Sequence, residues 1–492
     1  MARLQLSSYA LHSSGDRHRF LDEIWPFLIR NEAYHTHTIS VLQAAGCLPQ
    51  SPFSSVPLPC FDKDPFRPPI SSYAFADSAA ASGDDYVEVL CYALAAAADD
   101  PAQPAWTAVR CVAVVAVPRD ESTGEAKVAF TPLYASASSH GDAATFTQAD
   151  LDQPAVDSTI QPLMAAVQAV INAHAFEKIR INGPAPIVSG IHTGCEAAVG
   201  EKEGWLGGLY DNTAWIKDGA FNAYALDLTD LRRTLSDPDL WTNAVVSPSP
   251  LLGVNFTAAD PTVHPSLKAM QQKEPIVIYQ WDGSDGCVTP ETSTGSLPSV
   301  NSNSDSSGDS SGQDDPFQPP LPPYQLVFPS LSPESVDRHV KWEEHYMKHW
   351  VQSYPFLAKY AVADVLRQRI TESLSSGSIL VLQRGDEQPL CRSFFRMSEG
   401  GVAEVGGIMT WPQYQGKGYA KVITAAQSLL AFSRGFRVCR LMTEASNGAS
   451  NHIYSGLGYR CIGRPTHLEL SRKGTHENSA EADAACASKL CR

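Results

Sequence analysis

A glycine-rich turn in the last third of the chain has the residue types and spacing of an anion-binding site. Residues 413–418 read QYQGKG and join an apolar strand candidate to an amphipathic helix candidate. Unsatisfied backbone amides at such a turn, together with the partial positive charge of a helix N-terminus, suit a pyrophosphate. The turn is not a Walker A loop, because Lys417 is followed by Gly418 and not by Ser or Thr, and it lacks the G-x-G-x-x-G spacing. An isolated Gly-x-Gly is more often an ordinary connection, so a second motif has to decide.

The second motif lies about 30 residues further along the chain. Residues 447–454 read NGASNHIY, and residues 456–459 read GLGY. With the pattern Gln413-x-x-Gly416-x-Gly418, these segments resemble the two motifs of the GNAT superfamily, whose members transfer acyl groups from acyl-CoA to amines. The resemblance covers residues 323–470, about a third of the chain. Residues 403–459 are most similar to microbial predicted acetyltransferases in which a GNAT-like half precedes a catalytic half.

The resemblance implies acetyl-CoA as co-substrate, no metal, and a binding role for two backbone segments. The backbone of Ile408, Met409 and Thr410 would pair with the pantetheine arm at a splay between the fourth and fifth strands. Asn447 would hydrogen-bond near the cofactor's amide chain or thioester, and Asn451 is assigned to the same cofactor site. The amides that would hold the pyrophosphate are those of Gln415, Gly416, Lys417, Gly418, Tyr419 and Ala420.

The resemblance also implies catalytic roles for two side chains. Tyr454 would be the general acid that gives a proton to the departing CoA thiolate; otherwise it is a packed aromatic residue on a short helix. Direct attack on a thioester requires a neutral amine, and therefore a general base nearby. Glu404, on the strand before the turn, is the first candidate for that base, and a solvated strand-edge role is an equal alternative. Glu444 and His452 are the reserve candidates.

Two hypotheses for the function stay open on the sequence alone. The first is an acetyl-CoA-dependent N-acetyltransferase that acts on a primary amine, of a small molecule or of a protein, by direct attack in a ternary complex. The second is a non-catalytic acyl-CoA-binding regulatory or interaction module. A pure scaffold is a third and weaker hypothesis, because the glycine turn is intact.

The elements around these motifs predict a mixed α/β fold. In residues 323–472 the apolar patterns predict the order β-α-α-β-β-β-α-β-α-β, with strands at 402–410 and 438–443 and with 467–470 closing the sheet. Residues 20–228 repeat a similar order and predict a second, degenerate GNAT-like layer, with a helix at 190–202 and a strand at 222–228. No glycine turn follows its third strand, so this layer is expected to lack a CoA cradle and to pack against the catalytic half or shape its acceptor pocket.

Charge and composition divide the chain and exclude several classes of protein. The net charge is −16, but residues 323–472 carry 17 basic and 12 acidic side chains, a local balance of +5. A basic block of this size favours a local anionic ligand and not a nucleic-acid partner. Residues 283–322 contain six acidic residues and no Lys or Arg, which predicts a disordered linker. The predicted domains are therefore 1–282, the linker 283–322, the GNAT domain 323–472 and a disordered tail 473–492.

The remaining features predict a cytoplasmic protein, with the nucleus as the alternative. No apolar run is long enough to span a bilayer, so no membrane partner is expected. The 11 cysteines show no metal-ligand spacing and are expected to be free thiols. Ser488-Lys489-Leu490 is a peroxisomal signal only at a C-terminus, and two residues follow it here. His35 and His37 lie two apart in a predicted helix, which indicates a polar helix edge and not a metal site.

Overall fold

The structure is a computed structural model of the chain. It describes residues 4–30, 32–47, 86–96, 108–119, 125–131, 160–174, 176–184, 187–188, 191, 210–216, 221–241, 247–281, 323–353, 358, 361–385, 389–397 and 402–472. The predicted helix at 190–202, the linker 283–322 and the tail 473–492 lie outside the described residues.

Two mixed sheets organise the described part of the chain, as the predicted mixed α/β class requires. The strands are β1 (Leu4–Ala10), β2 (Tyr86–Ala96), β3 (Val109–Pro118), β4 (Glu125–Phe130), β5 (Lys178–Pro184), β6 (Tyr210–Ile216), β7 (Phe221–Asp227), β8 (Ile276–Trp281), β9 (Tyr324–Phe328), β10 (Ile379–Arg384), β11 (Cys391–Met397), β12 (Val402–Thr410), β13 (Val438–Glu444), β14 (Arg460–Gly463) and β15 (Pro465–Arg472). The helices are α1 (Ser14–Glu23), α2 (Trp25–Arg30), α3 (Glu32–Ala44), α4 (Gln161–Ala173), α5 (Leu228–Leu235), α6 (Pro265–Gln271), α7 (Pro333–Ser353), α8 (Ala363–Ser375), α9 (Tyr419–Ser433) and α10 (Gly448–Gly456). None of these helices combines the length and apolarity needed to cross a membrane.

The two sheets exchange strands across the predicted domain division. The first sheet has the order β1-β2-β3-β4-β5-β15-β6, and the second has the order β14-β7-β13-β12-β11-β10-β9-β8. Strands β7 and β8 precede the predicted linker but belong to the second sheet, while the last strand, β15, belongs to the first. The prediction that residues 467–470 close the second sheet is therefore wrong, and the strand predicted at 222–228 does not join the first.

The side-chain pattern of β15 explains its position in the first sheet. Leu468 and Leu470 are buried among the apolar residues of that sheet, in register with Ile181 and Ile179 of β5. On the opposite face Glu469, between these leucines, forms ion pairs with basic residues of β5, Lys178 at 3.2 Å and Arg180 at 3.3 Å. Apolar residues of β15 thus lie opposite apolar residues of β5, and its acidic residue lies opposite basic ones. This match of side chains fixes both the partner of β15 and its register.

The predicted linker connects two neighbouring strands of one sheet. Strands β8 and β9 are antiparallel, and Trp281 is paired with Tyr324 at their adjacent ends. The chain between them therefore leaves and re-enters the second sheet at almost the same place.

The core of the second sheet lies mainly between its strands and α9. Val422, Ile423, Ala426 and Leu430 of α9 are fully buried against Ala403 and Val405 of β12. The C-terminal end of α9 is held by Arg434, whose guanidinium donates to both carboxylate oxygens of the buried Asp260, at 2.6 and 2.9 Å. This contact fastens the segment before β8 to the last third of the chain.

Helix α3 lies between the two halves and differs from its prediction. Its residues pack on β3 and β4 of the first sheet and also approach β12 of the second. His35 is fully buried, with its Nδ1 atom 2.8 Å from the carbonyl of Leu28, so the predicted polar helix edge is wrong at this residue. All cysteines among the described residues are free thiols.

Candidate functional site

The glycine turn has a backbone conformation that only glycine adopts easily. Gly416 and Gly418 have φ angles of +78° and +82°, in the left-handed region. Gly418 is also the N-cap of the fifteen-residue helix α9. The apolar face of α9 is buried in the second core, so the turn at its N-terminus is held by a rigid element.

The amides of this turn are available to a ligand. Within the described part of the chain, the backbone N–H groups of residues 416–420 have no acceptor, and the first amide bonded in the helix is that of Lys421, to the carbonyl of Gly418. A Cβ atom added to Gly416 would meet no atom within 4 Å, so the space above the turn is open. The side chain of Lys417 is exposed beside it. Free amides, a helix N-terminus and a cation together suit a phosphorylated ligand.

A β-bulge bends β12 just before the turn. Arg392 of β11 pairs with Met409 and Phe394 pairs with Gly406, so β12 holds one extra residue in this interval. The bulge contains Gly407, whose φ angle is +55°. A Cβ atom added to Gly407 would overlap the ring of Phe394, so any other residue at this position requires that ring to move. Bulges of this kind increase strand twist and turn the strand away from its neighbour.

The bulge coincides with a gap between two parallel strands. Strands β12 and β13 pair only from Val402 to Glu404, opposite residues 438–440. From Val405 to Thr410, the edge of β12 that faces β13 has no ladder partner among the described residues. On its other edge β13 stays paired with β7 as far as Glu444, so the gap is not a frayed end. An extended ligand could hydrogen-bond to the open edge of β12.

The predicted pantetheine-binding residues lie at this open edge. Ile408, Met409 and Thr410 form the last part of β12, beyond the bulge. The carbonyl of Thr410 accepts a hydrogen bond from the side-chain amide of Gln415 at 3.2 Å. The hydroxyl of Thr410 donates to the buried sulfur of Cys391 at 3.1 Å. These contacts tie the end of β12 to the turn and to β11, and they leave the gap-facing edge of Ile408 and Met409 open.

Of the remaining turn residues, Tyr419 also has a clear packing role. Its side chain is buried, and its hydroxyl lies 3.2 Å from that of Tyr324 on β9. Burial and this bond raise the pKa of Tyr419. Gln415 is exposed and Ala420 is half-buried at the start of α9. Tyr419 and Ala420 could thus contribute backbone amides.

Tyr454, the predicted acid, lies on α10 within the core of the second sheet. Its side chain is 7% exposed. Its ring contacts those of Tyr224 and Tyr459, with centroids 5.9 and 6.0 Å away. Burial is the main cause that raises the pKa of Tyr454, with a further contribution from Tyr346 of α7. The phenol is therefore a hydrogen-bond donor at neutral pH.

The two predicted asparagines hold the start of α10. Asn447 is the N-cap, and its side chain accepts from the amide of Ser450 at 3.0 Å. The side-chain nitrogen of Asn451 donates to the carbonyls of Glu444 and Asn447, at 2.9 and 2.7 Å. Both asparagines therefore bind backbone groups of this chain, and Asn451 has the more extensive set of contacts.

Glu404, the predicted base, lies on the opposite face of the sheet from Tyr454. Its neighbours Ala403 and Val405 point into the core that contains Tyr454, and side chains alternate along a strand. Glu404 is half-buried, and among the described residues its carboxylate accepts no hydrogen bond. The nearby charge is that of Arg440 on β13, which is 4% exposed. Burial lowers the pKa of Arg440, and the charge of Glu404 offsets part of this effect. Arg440 is thus the cationic group that acts on this carboxylate, although the described structure shows no ion pair between the two.

The buried Arg440 connects this face to the first half of the chain. Its guanidinium lies 3.4 Å from the Nε2 atom of His37 on α3. Burial is the main cause that lowers the pKa of His37 to about 3, followed by the charge of Arg440. His37 is therefore neutral and able to accept a hydrogen bond from Arg440.

The reserve bases are placed less favourably. His452 is exposed on α10. Glu444 is half-buried at the end of β13, and its carbonyl is an acceptor for Asn451. No cluster of His, Cys, Asp or Glu in the described residues could hold a metal ion.

Three residues near the gap were not predicted from the sequence. Gly407 shapes the bulge, and the signal for it was the Gly406-Gly407 pair inside a strand pattern. Tyr346 of α7 lies on the other side of the sheet, and burial raises its pKa to about 12. Tyr224 belongs to β7, about 230 residues before Tyr454, and no local signal connects the two.

The first sheet has no corresponding gap in the described residues. Strands β4 and β5 are also parallel neighbours, but they pair from Glu125 to Ala129, almost the whole of β4. The hydroxyl of Thr131, just after β4, accepts from the amide of Val112. The open edge and the glycine turn thus occur together only in the second sheet of the described structure.

No family model matches the chain, and no curated protein is similar to it in sequence. Among solved structures, a tandem GNAT protein from the clavulanic acid biosynthesis pathway is 11% identical, over 96% of this chain and 100% of its own, with a TM-score of 0.35. A GCN5-related N-acetyltransferase from Sphaerobacter thermophilus is 9% identical, over 95% of both chains, with a TM-score of 0.32. A GNAT-family acetyltransferase from Colwellia psychrerythraea is 16% identical over 23% of this chain and 41% of its own, with a TM-score of 0.20.

The solved structures that resemble this chain thus include GNAT acetyltransferases, the family that the sequence motifs resemble. Two of the matches extend over nearly the whole chain. The third spans less than half of the other protein's length. At these TM-scores the spatial overlap is small, and the chemistry of the site rests on its own geometry.

Proposed function

We propose that this protein is an N-acetyltransferase that transfers an acetyl group from acetyl-CoA to a primary amine in a ternary complex. The observation that carries the proposal is the gap between β12 and β13, which opens at a glycine bulge and ends at a turn of free amides. The open edge of β12 suits an extended chain with amide groups, and the turn at α9 suits a pyrophosphate. Acetyl-CoA has both features in this order.

In the proposed reaction one residue acts on the attacking amine and another acts on the departing sulfur. The amine nitrogen attacks the carbonyl carbon, the C–S bond breaks, and the amide and the free thiol of CoA are formed. Glu404 accepts the proton of the attacking amine, directly or through water. Its position on the face opposite Tyr454 supports this division of roles, because the base and the hydrogen-bond donor then act on the thioester from two sides.

Tyr454 has the role of hydrogen-bond donor to the departing sulfur. A phenol whose pKa is raised above its ordinary value is a weaker acid than a thiol of pKa about 8.5. Complete proton transfer to the thiolate is therefore uphill, whereas a hydrogen bond to the charge that develops on sulfur is favourable in a buried site. The thiolate can then take its proton from solvent after it is released.

The direct experiment measures thiol release from acetyl-CoA with a panel of primary amines. We expect turnover with at least one amine, and a kcat about 100-fold lower for Tyr454→Phe, as for the loss of one preorganised donor. Calorimetry should give similar affinities of both proteins for acetyl-CoA, because the cofactor is held by backbone groups. Tyr9→Phe is the matched control, since Tyr9 is also a buried tyrosine, but it lies on the first sheet and its hydroxyl donates to Glu23. Equal kcat for Tyr454→Phe and wild type would exclude the proposed role of Tyr454.

The burial of Tyr454 favours a second candidate function. A phenol that no acceptor amine can approach fits a non-catalytic acyl-CoA-binding module, and Tyr454 is 7% exposed. This candidate predicts acetyl-CoA binding without turnover for every amine of the panel. Absence of CoA binding at low salt would contradict both functions.

A further inference from the structure

Asn451 is the centre of a hydrogen-bond network that joins α10 to strand β7. Its side-chain oxygen accepts two hydrogen bonds, from the hydroxyl of Tyr224 at 2.7 Å and from the side-chain amide of Asn222 at 3.0 Å. Its nitrogen donates to backbone carbonyls at the end of β13 and the start of α10. The donor and acceptor assignments are mutually consistent, so every polar atom of the Asn451 amide is used.

The two donors come from a part of the chain that the motifs do not cover. Asn222 and Tyr224 lie on β7, which precedes the predicted linker and is inserted between β13 and β14. Tyr224 pairs in register with Leu441 of β13 and with Cys461 of β14, so its position is fixed on both sides. A central strand held in this way is a rigid support for a helix that packs on it.

The network acts on the helical turn that carries Tyr454. Asn451 and Tyr454 are three residues apart on α10 and therefore lie on neighbouring positions of one helix face. The ring of Tyr224 also packs directly against that of Tyr454, with centroids 5.9 Å apart and planes inclined by 60°. Tyr224 thus constrains Tyr454 twice, through the Asn451 amide and through ring contact.

We propose that Tyr224, assisted by Asn222, is a positioning residue that orients the Tyr454 hydroxyl toward the thioester by fixing Asn451. This inference rests on the proposed function. It makes the segment before the linker part of the catalytic apparatus: the strand that this segment contributes to the second sheet sets the geometry of the proposed donor.

The test is a double-mutant cycle in the full chain with Tyr224→Phe, Tyr454→Phe and the double variant. Tyr224→Phe keeps the ring and removes the bond to Asn451. We expect its kcat to fall about five- to tenfold, with little change in the KM for acetyl-CoA. In the Tyr454→Phe background the same change should have no further effect on kcat, because the hydroxyl that it orients is absent. Tyr9→Phe, the matched control, leaves kcat unchanged.

A purely structural role of Tyr224 gives a different result. It predicts lower stability with an unchanged kcat, or a kcat effect of the same size in both backgrounds, and either result overturns the inference. Amide hydrogen exchange provides a readout that does not depend on activity. Residues 448–456 should exchange faster in Tyr224→Phe than in wild type, and unchanged exchange also overturns the inference. If Tyr454→Phe keeps the wild-type kcat, the proposed role of Tyr454 fails instead, whatever the exchange shows.

Discussion

At the scale of single residues, burial decides the charge state of the groups around the gap. Tyr454 and Tyr346 are phenols whose pKa values are raised mainly by desolvation, so both remain donors across the physiological range. His37 and His339 show the opposite effect, because burial lowers the pKa of each imidazole to about 3. The nearby Arg440 and Arg392 add to this effect by repelling a second positive charge. These two phenols and two imidazoles are therefore neutral at pH 7, beside the charged Arg440 and Arg392, and a low-dielectric surrounding strengthens each hydrogen bond that they make.

The neutral state of His339 predicts acid-sensitive stability. His339 is 2% exposed on α7, with its pKa lowered by burial, by Arg392 and by Arg338. The unfolded chain binds a proton below pH 6.5 and the folded chain does not, so stability falls as the pH decreases from 6.5 toward 3. Between pH 7 and 5 this one group costs about 2 kcal/mol.

Urea unfolding of His339→Leu and wild type at both pH values checks this prediction. Leucine keeps the site apolar and removes the titrating group. The difference in the free energy of unfolding between pH 7 and pH 5 should therefore be smaller in the variant, by about 2 kcal/mol. An equal difference in the two proteins would mean that His339 is protonated in the folded state.

At the scale of elements, the local patterns of the sequence were sufficient near the glycine turn and insufficient elsewhere. The apolar periodicity of α9 and the strand pattern of β12 predicted both elements, although residues 422–431 of α9 are buried on all sides and not on one face alone. The local pattern of a strand does not show which other strand it pairs with. The alternation within residues 467–470 does not by itself identify a partner; the apolar residues of β5 opposite Leu468 and Leu470, and the charges of Lys178 and Arg180 opposite Glu469, place this strand in the first sheet. The role of Tyr224 was also unpredictable, because it depends on that same exchange of strands.

The bulge in β12 predicts a strong effect of a single methyl group. Gly407→Ala would place a Cβ atom on the ring of Phe394 and a non-glycine residue at a φ angle of +55°. We expect a loss of about 1–3 kcal/mol of stability, and an affinity for acetyl-CoA lower by about tenfold or more because the bend that opens the gap is disturbed. Urea unfolding and calorimetry measure the two effects.

The neighbouring glycine provides a matched control for this substitution. A Cβ atom on Gly406 would lie 3.8 Å from Phe394, an ordinary van der Waals contact, and its φ angle is not in the left-handed region. Gly406→Ala should therefore have a small effect on both stability and affinity. Similar effects of the two substitutions would contradict the importance of the bulge at Gly407.

At the scale of the whole molecule, the chain is not a pair of independent domains joined by a spacer. Each sheet contains an internal strand from the other side of the predicted linker, β7 in the second sheet and β15 in the first. Asp260 and Arg434 add a buried ion pair between the segment before β8 and α9. The segment that resembles an acetyltransferase therefore needs residues from before the linker to complete its sheet.

This topology predicts that the linker can be removed without loss of the fold. Trp281 and Tyr324 are paired neighbours, so the chain between them closes a hairpin and does not span a distance. Replacement of residues 283–322 by a two-residue Asn-Gly turn, which suits a hairpin, should preserve the kcat and the circular dichroism spectrum. It should also raise the free energy of unfolding by about 2 kcal/mol, because a loop that is about tenfold shorter loses less entropy when its ends meet. A scrambled segment of the same length and composition is the control, with the stability of the wild type. Loss of folding on replacement would mean that residues 283–322 make contacts that the second sheet requires.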